Sequence, residues 1–260
     1  MDLVLGMCGG YGAEVVRPFV RSLRVTGFAG ELALLLHRNP EGTAAALRAE
    51  GVTTALEVDL AGVPESFSYN IARYALFAAE LARRPGAERV IVSDVRDVAF
   101  QRDPFRACAA DDSLHLFEEH PSKPIGACIW TSSWVRYRYG DAALPSIADR
   151  PVVCSGFAMG SAGRMRDYLE LVTRELTPPL RSTNYMAGYD QGVVNVLAHG
   201  GRIPGLVLHP WPRAAVLHLG NAPRGSVRSN SAGEMVNDQG QVVAVVHQRD
   251  RHEGQAQTLR

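Results

Sequence analysis

Through its first hundred residues the chain alternates short apolar runs with segments of helical periodicity, and this alternation constrains the fold more than any other feature. Leu3–Met7 is an apolar run that ends in Cys8-Gly9-Gly10-Tyr11-Gly12, a strand followed by a loop. Val15–Leu23 reads as a helix, with Pro18 tolerated only in a first turn. Glu31–His37 is a second apolar run, stopped at Asn39-Pro40; Thr43–Ala49 has helical character and Val52–Val58 an extended one. Ser66 or Ser68 is placed to cap the next helix, where Ile71, Tyr74, Ala75, Ala78, Leu81 and Ala82 recur as one buried stripe. Arg84-Pro85-Gly86 ends that helix, and Arg89–Ser93 is a short buried strand running straight into acidic residues. Strands alternating with helices predict an α/β fold with a mostly parallel central sheet and helices on both faces.

The second half is less regular. His120–Pro124 is a break, and Trp130–Tyr139 is rich in aromatics and arginine. Val152–Met159 reads as a strand, Ser161 is placed to cap a helix reaching Leu176, and Pro178-Pro179 breaks the chain. Gln191–Ala198 is predicted helical; short strands follow near Ile203–Leu208 and Val216–Leu219. Pro223–Ser231 is expected to be a mobile loop, Gln241–His247 a last β-rich run, and 251–260 a disordered tail. At 260 residues, against roughly 100–200 per domain, the chain reads as a single large domain over about 1–250.

Charge narrows the function classes. Lys+Arg and Asp+Glu both number 27, so there is no basic excess of the kind that holds nucleic acid by its phosphates. The four cysteines, Cys8, Cys108, Cys128 and Cys154, show no C-x-x-C spacing, which argues against a zinc ribbon or dithiol redox site and for a reduced, cytoplasmic setting. No stretch approaches the ~18 apolar residues of a membrane span, which leaves peripheral membrane contact open.

The sharpest chemical signal is Ser93-Asp94-Val95-Arg96-Asp97, followed by Val98-Ala99-Phe100-Gln101-Arg102-Asp103-Pro104-Phe105. A buried strand delivers Asp94 and Asp97 at its carboxyl end, where open α/β sheets bind ligands. Two adjacent carboxylates repel unless a cation or proton joins them, and a hard divalent ion takes carboxylate and phosphate oxygens together. On spacing alone, an acidic turn in which Arg96 pairs one carboxylate and Asp103 caps a short helix explains the segment equally well.

This segment resembles the metal-binding Asp-x-Asp region of GT-A glycosyltransferases, nucleotide-sugar-dependent enzymes built on a nucleotide-binding α/β sheet. Three further segments follow in the family's order over about residues 1–250. Arg73 lies on the helix before the strand; Cys154-Ser155-Gly156-Phe157 resembles the Ser-Gly strand flanking the sugar site; Gly188-Tyr189-Asp190-Gln191 resembles the Asp-Gln segment of retaining family 8-like transferases. The acidic pair here is Asp-x-x-Asp rather than Asp-x-Asp, so either carboxylate is a candidate for direct metal contact.

The resemblance implies a hexosyltransferase of glycan biosynthesis. It would use a nucleotide diphosphate sugar as donor, a glycan or lipid-linked saccharide as acceptor, and Mn2+ or Mg2+ as cofactor. Its nucleotide-binding half would span about 1–110 and its acceptor half about 111–250. Cys8, Gly9, Gly10 and Tyr11, with Arg73, Asp94, Val95, Arg96, Ser155 and Gly156, are implied to hold the donor. The metal would sit on Asp94, Asp97 and a histidine near the C-terminus; His247 matches by position and preceding strand, with His252 and His218 as alternatives. Asp190 and Gln191 are the candidates for chemistry at the sugar carbon, although Asp190 equally suits a helix cap. Arg249 and Arg251 are candidates for neutralising a diphosphate, or belong to a solvated tail.

Trp130, Trp134 and Arg136 suit a sugar acceptor, since Trp stacks on sugar rings and Arg binds anionic groups; at helical spacing Trp130, Trp134 and Tyr137 equally suit a core stripe. Two other classes remain. A sugar-nucleotide nucleotidyltransferase would need an Arg/Lys-bearing loop after the first strand, and this loop has no lysine. A non-catalytic nucleotide-sugar-binding module has no need of Asp94, Asp97 and Asp190 together.

Overall fold

The first strand, β1 (Asp2–Gly9), alternates its side chains between two cores: Leu3 and Leu5 face one, Val4 and Cys8 the other. The same division holds on β4 (Arg89–Ser93), where Val90 and Val92 oppose Ile91, and on β2 (Glu31–His37), where Ala33 and Leu35 oppose Leu32, Leu34 and Leu36. Strands buried on both faces need a helical layer on each. The computed structural model describes residues 1–60, 68–108, 110–177 and 186–252. Ser66, the Pro178-Pro179 break and residues 253–260 of the expected tail lie outside them.

Helices α1 (Ala13–Val25) and α2 (Thr43–Ala49) cover one face through Val16, Phe19, Val20, Leu23 and Leu47. The other is covered by α3 (Tyr69–Ala82), α5 (Ala162–Leu176) and α6 (Tyr189–His199). Between them lies a seven-stranded sheet ordered β3-β2-β1-β4-β7-β6-β8, completed by β3 (Thr54–Glu57), β6 (Leu114–Glu118), β7 (Val153–Ser161) and β8 (Leu206–His209). Only β7 runs antiparallel to its neighbours, so the mostly parallel α/β sheet expected from the alternation is present.

The order reverses between β1 and β4. After β1 the chain moves outward to β2 and β3, then returns to place β4 on the other side of β1. The loops after β1 and β4 therefore diverge and leave a crevice at the carboxyl ends of the strands.

A second, three-stranded sheet stands beside the first. It joins β5 (Ala99–Phe100), β9 (Val216–His218) and β12 (Val245–His247) in the order β5-β12-β9. Its alternation sends Val216 and Val245 into the α1/α2-side core and Leu217 and Val246 into a separate cluster with Trp211, Leu219, Val227 and Met235. Between these strands, β10 (Arg228–Ser229) pairs antiparallel with β11 (Met235–Val236).

Several local expectations need correction. Helix α1 begins at Ala13, so Pro18 lies in its second turn rather than its first and removes one backbone hydrogen bond; burial of Phe19, Val20 and Leu23 offsets the loss. Residues 223–231 are not a free loop, because Arg228 and Ser229 pair with Val236 and Met235. The tail does not begin at 251: Arg249–His252 forms a 3-10 turn, and His252 Nε2 lies 3.2 and 3.1 Å from the carbonyls of Leu219 and Ala222. Among the described residues no helix is long and apolar enough to cross a membrane.

The cap at Ser161 is present as expected: its hydroxyl accepts from the Arg164 amide at 3.2 Å and donates to Asp112 at 2.8 Å. Ser161→Ala should therefore lower the unfolding free energy by about 1 kcal/mol, read as a shift of the urea midpoint with unchanged slope.

Candidate active site at the switch point

Asp94 follows β4 directly, and Asp97 lies three residues further, before the chain enters β5. The register of the small sheet carries a histidine to them. Val245 pairs with Phe100 and Val246 with Ala99, so the next residue of β12, His247, arrives at the acidic loop. Its Nε2 lies 3.3 Å from Asp94 Oδ2 and 3.5 Å from Asp97 Oδ1. One ligand atom from each of the three residues falls within 4.8 Å of the others.

The arrangement is built to hold one positive charge. Burial alone would raise the Asp94 carboxyl, but Arg73 and His247 outweigh it and hold it well below the usual carboxylate range. Asp97 is likewise lowered, against burial, chiefly by His247. Burial would lower His247, yet Cys154 and the two carboxylates raise it well above an ordinary histidine. In the absence of another cation, a proton on Nε2 satisfies both carboxylates. A divalent ion bound there must displace that proton.

Two carboxylates and one imidazole form an oxygen-rich donor set that suits Mn2+ or Mg2+ better than a thiophilic metal. The backbone leaves room for such an ion. A Cβ placed on Gly156 would overlap both the His247 ring and the Asp94 carboxylate, so glycine keeps this wall of the site open.

Behind His247 a second layer sets its orientation. Its Nδ1 lies 2.9 Å from His218 Nδ1 and 3.6 Å from Cys154 Sγ. The parallel register pairs His247 with His218. Burial and the neighbouring His247 hold His218 well below its ordinary pKa, and its buried Nε2 meets no hydrogen-bond partner among the described residues. Gln248, the residue after His247, adopts φ +59° and accepts from the Gly220 amide at 2.7 Å. That bond supports a left-handed backbone that non-glycine residues adopt at a cost.

Arg73 ties the site to the helical layer. Its buried guanidinium donates to Asp94 Oδ1, to the Ser155 carbonyl at 3.1 Å and to Asp190 Oδ2 at 2.9 Å. Tyr74 donates to the same Asp190 oxygen at 3.1 Å. Asp190 is only 1% exposed and makes no helix-capping bond, so it is an ion-pair partner rather than a cap. Burial raises its carboxyl despite the pull of Arg73.

Of the other residues read from the sequence, Gly9, Tyr11, Arg73, Asp94, Val95 and Arg96 line one cleft at the switch point. Gly10 makes the turn after β1 with φ +75°. Cys8 does not face this cleft: it is fully buried in the α1/α2-side core, where Asn39 donates to its sulfur at 3.1 Å. Arg96 lies 3.5 Å from Asp97 and 3.2 Å from Asp250. Gln191 accepts from the Ser155 amide at 3.3 Å and donates to Glu119 and Thr131 at 3.3 and 3.4 Å.

On α4 (Ile129–Tyr139) the aromatic segment divides. Trp134 packs against Gly188 and Gly192 and Tyr137 against Tyr189, whereas Trp130 stays 47% exposed. Arg136 is exposed, 3.2 Å from Asp141. Trp134 and Tyr137 thus adjoin the core and Trp130 does not.

Glu119, Thr131 and Asn221 were not singled out by sequence reasoning. Glu119 follows β6, accepts from Gln191 and Asn221, and is almost fully buried. Burial pushes its carboxyl up to about 7 against the pull of His247 and the two amides. Its only sequence signal is an acidic residue just before the His120–Pro124 break, which is common. His218, named as an alternative to His247, lies behind it, and it is His247 that meets the two carboxylates.

No protein-family model matches the chain, and no curated protein matches it in sequence. Solved structures do. A glycosyltransferase involved in the glycosylation of the major capsid of PBCV-1 aligns over 98% of this chain and 98% of its own, with 13% identity and a TM-score of 0.53. The galactosyltransferase LgtC, in complex with donor and acceptor sugar analogues, aligns over 95% of this chain and 86% of its own, with 16% identity and a TM-score of 0.50. An active-site mutant of LgtC aligns over the same shares at 15% identity and a TM-score of 0.50. The fold is accordingly of the GT-A type.

Two outcomes follow from the geometry. Gly156→Ala should cost about 1–3 kcal/mol of stability by overpacking and abolish any Mn2+-induced rise in melting temperature; an undiminished rise contradicts the cradle. Glu119 has a folded pKa above its unfolded one, so its stabilising contribution is complete below about pH 4.3 and is lost as pH rises through the folded value. The melting temperature of Glu119→Gln, relative to wild type, should therefore climb between about pH 5 and about pH 8. A difference that stays flat over that range rejects the raised carboxyl.

Proposed function

We propose that this chain transfers a hexosyl group from a nucleotide diphosphate sugar to a hydroxyl of a glycan or lipid-linked saccharide, with retention of the donor's anomeric configuration. The observation that carries this reading is the meeting of Asp97 and His247 with Asp94, which lines the switch-point cleft, in a fold shared with glycosyltransferases. Residues 1–250 form the catalytic unit in this reading, with the nucleotide in the half before about residue 110.

The donor lies along the loop after β1, with Gly9 and Gly10 admitting close approach and Tyr11 beside the base. Asp94, Asp97 and His247 would hold Mn2+ or Mg2+, which when bound neutralises charge on the leaving diphosphate. Arg96 flanks this position, and the exposed Arg251 lies close enough to Glu119 to act on its charge. Arg73 is a positioning residue: its bonds to Asp94, Ser155 and Asp190 fix the carboxylate, the Ser-Gly strand and α6 relative to one another.

Gln191 is the group assigned to the sugar carbon. Its amide does not take a proton near neutral pH, but its carbonyl oxygen can complement positive charge on that carbon. Asp190 acts through Arg73, since both Arg73 and Tyr74 already occupy its Oδ2. Trp130, exposed at the start of α4, offers a face for the acceptor sugar, and Arg136 is available on the same helix.

One observation favours a second course. Glu119 touches Gln191 and has a carboxyl raised to about 7, the property of a general base at neutral pH. An inverting reaction would need such a base. Proton NMR of the first-formed glycoside decides between them: from an α-linked donor, an α-linked product supports Gln191, and a β-linked product transfers the role to Glu119.

The reaction class is tested by incubating the protein with nucleotide sugars in the presence and absence of Mn2+. Metal-dependent release of nucleoside diphosphate is expected, and release of pyrophosphate would instead mark nucleotidyl transfer. Asp97→Asn should reduce turnover by about 100-fold or more, several kcal/mol of transition-state stabilisation, with an unchanged circular dichroism spectrum. Full turnover by this variant, or by wild type in excess chelator, rejects the metal-assisted reading.

A further inference from the structure

A second cluster of metal-binding side chains lies on the β6–β8 side of the sheet. Cys108 belongs to the segment that precedes β6, His115 to β6 and His209 to the end of edge strand β8. In the parallel β6–β8 register His115 faces Val207 and His209 faces Phe117, so the two imidazoles are diagonal neighbours. His115 Nδ1 lies 3.0 Å from His209 Nε2, and one ligand atom from each of Cys108, His115 and His209 falls within 4.8 Å of the others.

We propose that Cys108, His115 and His209 form a zinc site distinct from the Asp94–Asp97–His247 centre. Three features support it. One thiolate and two imidazoles are a borderline-soft donor set, which selects Zn2+ over Mg2+, Ca2+ or Mn2+. Tetrahedral coordination at the usual Zn–N and Zn–S lengths puts donor atoms about 3.3–3.6 Å apart, so the spacing needs only small side-chain adjustment. His115 also has an outer partner: its Nε2 lies 3.5 Å from Asp111 Oδ1. A carboxylate on one ring nitrogen fixes that proton there and turns the other, Nδ1, toward the metal as a lone pair.

His209 is held in place by stacking on Phe117, with ring centroids 4.8 Å apart at 20°. The ion would tie the short edge strand β8 to β6 and to the connection from the small sheet. Three protein ligands leave a fourth position for water. The other Cys/His group, Cys154–His218–His247, shares His247 with the centre already described and belongs to it.

The test uses the full chain, stripped with chelator and titrated with Zn2+ against a chromophoric competitor, and with Co2+ read by its thiolate-to-cobalt absorption. Wild type should bind one equivalent of zinc tightly and show the cobalt–thiolate band. Asp97→Asn and Cys154→Ser should keep both. Cys108→Ser should lose the band, His209→Ala should lose the tight equivalent, and Asp111→Ala should weaken zinc about 10–100-fold. Should Cys108→Ser fail to fold, persistence of the band in folded Cys8→Ser, Cys128→Ser and Cys154→Ser variants assigns the thiolate to Cys108. Failure of wild type to bind zinc overturns the proposal. So does a band that disappears with Cys154 while persisting without Cys108.

Discussion

A guanidinium almost wholly withdrawn from water must be paired on several sides, and Arg73 is such a group. Its bonds reach the end of β4 at Asp94, the first part of β7 at Ser155 and the start of α6 at Asp190. Leaving a buried charge unpaired costs several kcal/mol, so these three elements are constrained to meet where Arg73 emerges from α3. The cleft, the acidic loop and the Gln191-bearing helix take their relative positions from that requirement. The Tyr74 hydroxyl completes the shell, and its ring lies edge-on to Tyr168 in the core between α3 and α5.

The small sheet supplies what the large one lacks. A doubly wound sheet delivers carboxylates on loops but has no element that returns over them. Here β12 does so, held between β5 and β9 in a register that allows His247 one orientation. Because His247 presents Nε2 to the carboxylates and Nδ1 to His218 and Cys154, its proton arrangement is set from both sides. Gly156 beneath and the Gly220–Gln248 bond above leave the ring little freedom.

How much of this was legible beforehand depended on sequence distance. Asp94 and Asp97 stand out because a buried strand ends in them, and the layered α/β architecture follows from local periodicity that a single helix or strand displays by itself. Glu119 and His218 were not identified in their places because each depends on pairing between segments far apart in the chain, on which periodicity is silent. Cys8 sits in the glycine loop by sequence, but the period of two along β1 turns it inward. Trp130 and Trp134 share a helix, and only the position of α6 separates a packed ring from an exposed one. The Arg228–Met235 hairpin was masked by a composition rich in glycine, serine and asparagine, which argues for a loop until its pairing partner is known.

The pairing of Val245 with Phe100 also orders events in time. Contacts between distant segments form slowly, because the entropy of closing a long loop must be lost before any contact repays it. During synthesis the crevice between β1 and β4 leaves the ribosome well before β12 exists, and domains acquire structure as their segments emerge. The acidic loop therefore spends an interval with Arg73 and Arg96 beside it and without the imidazole. Until β12 has folded back, a nascent chain lacks the imidazole that the acidic loop meets in the folded protein, so a contact between segments about 150 residues apart completes the loop's surroundings.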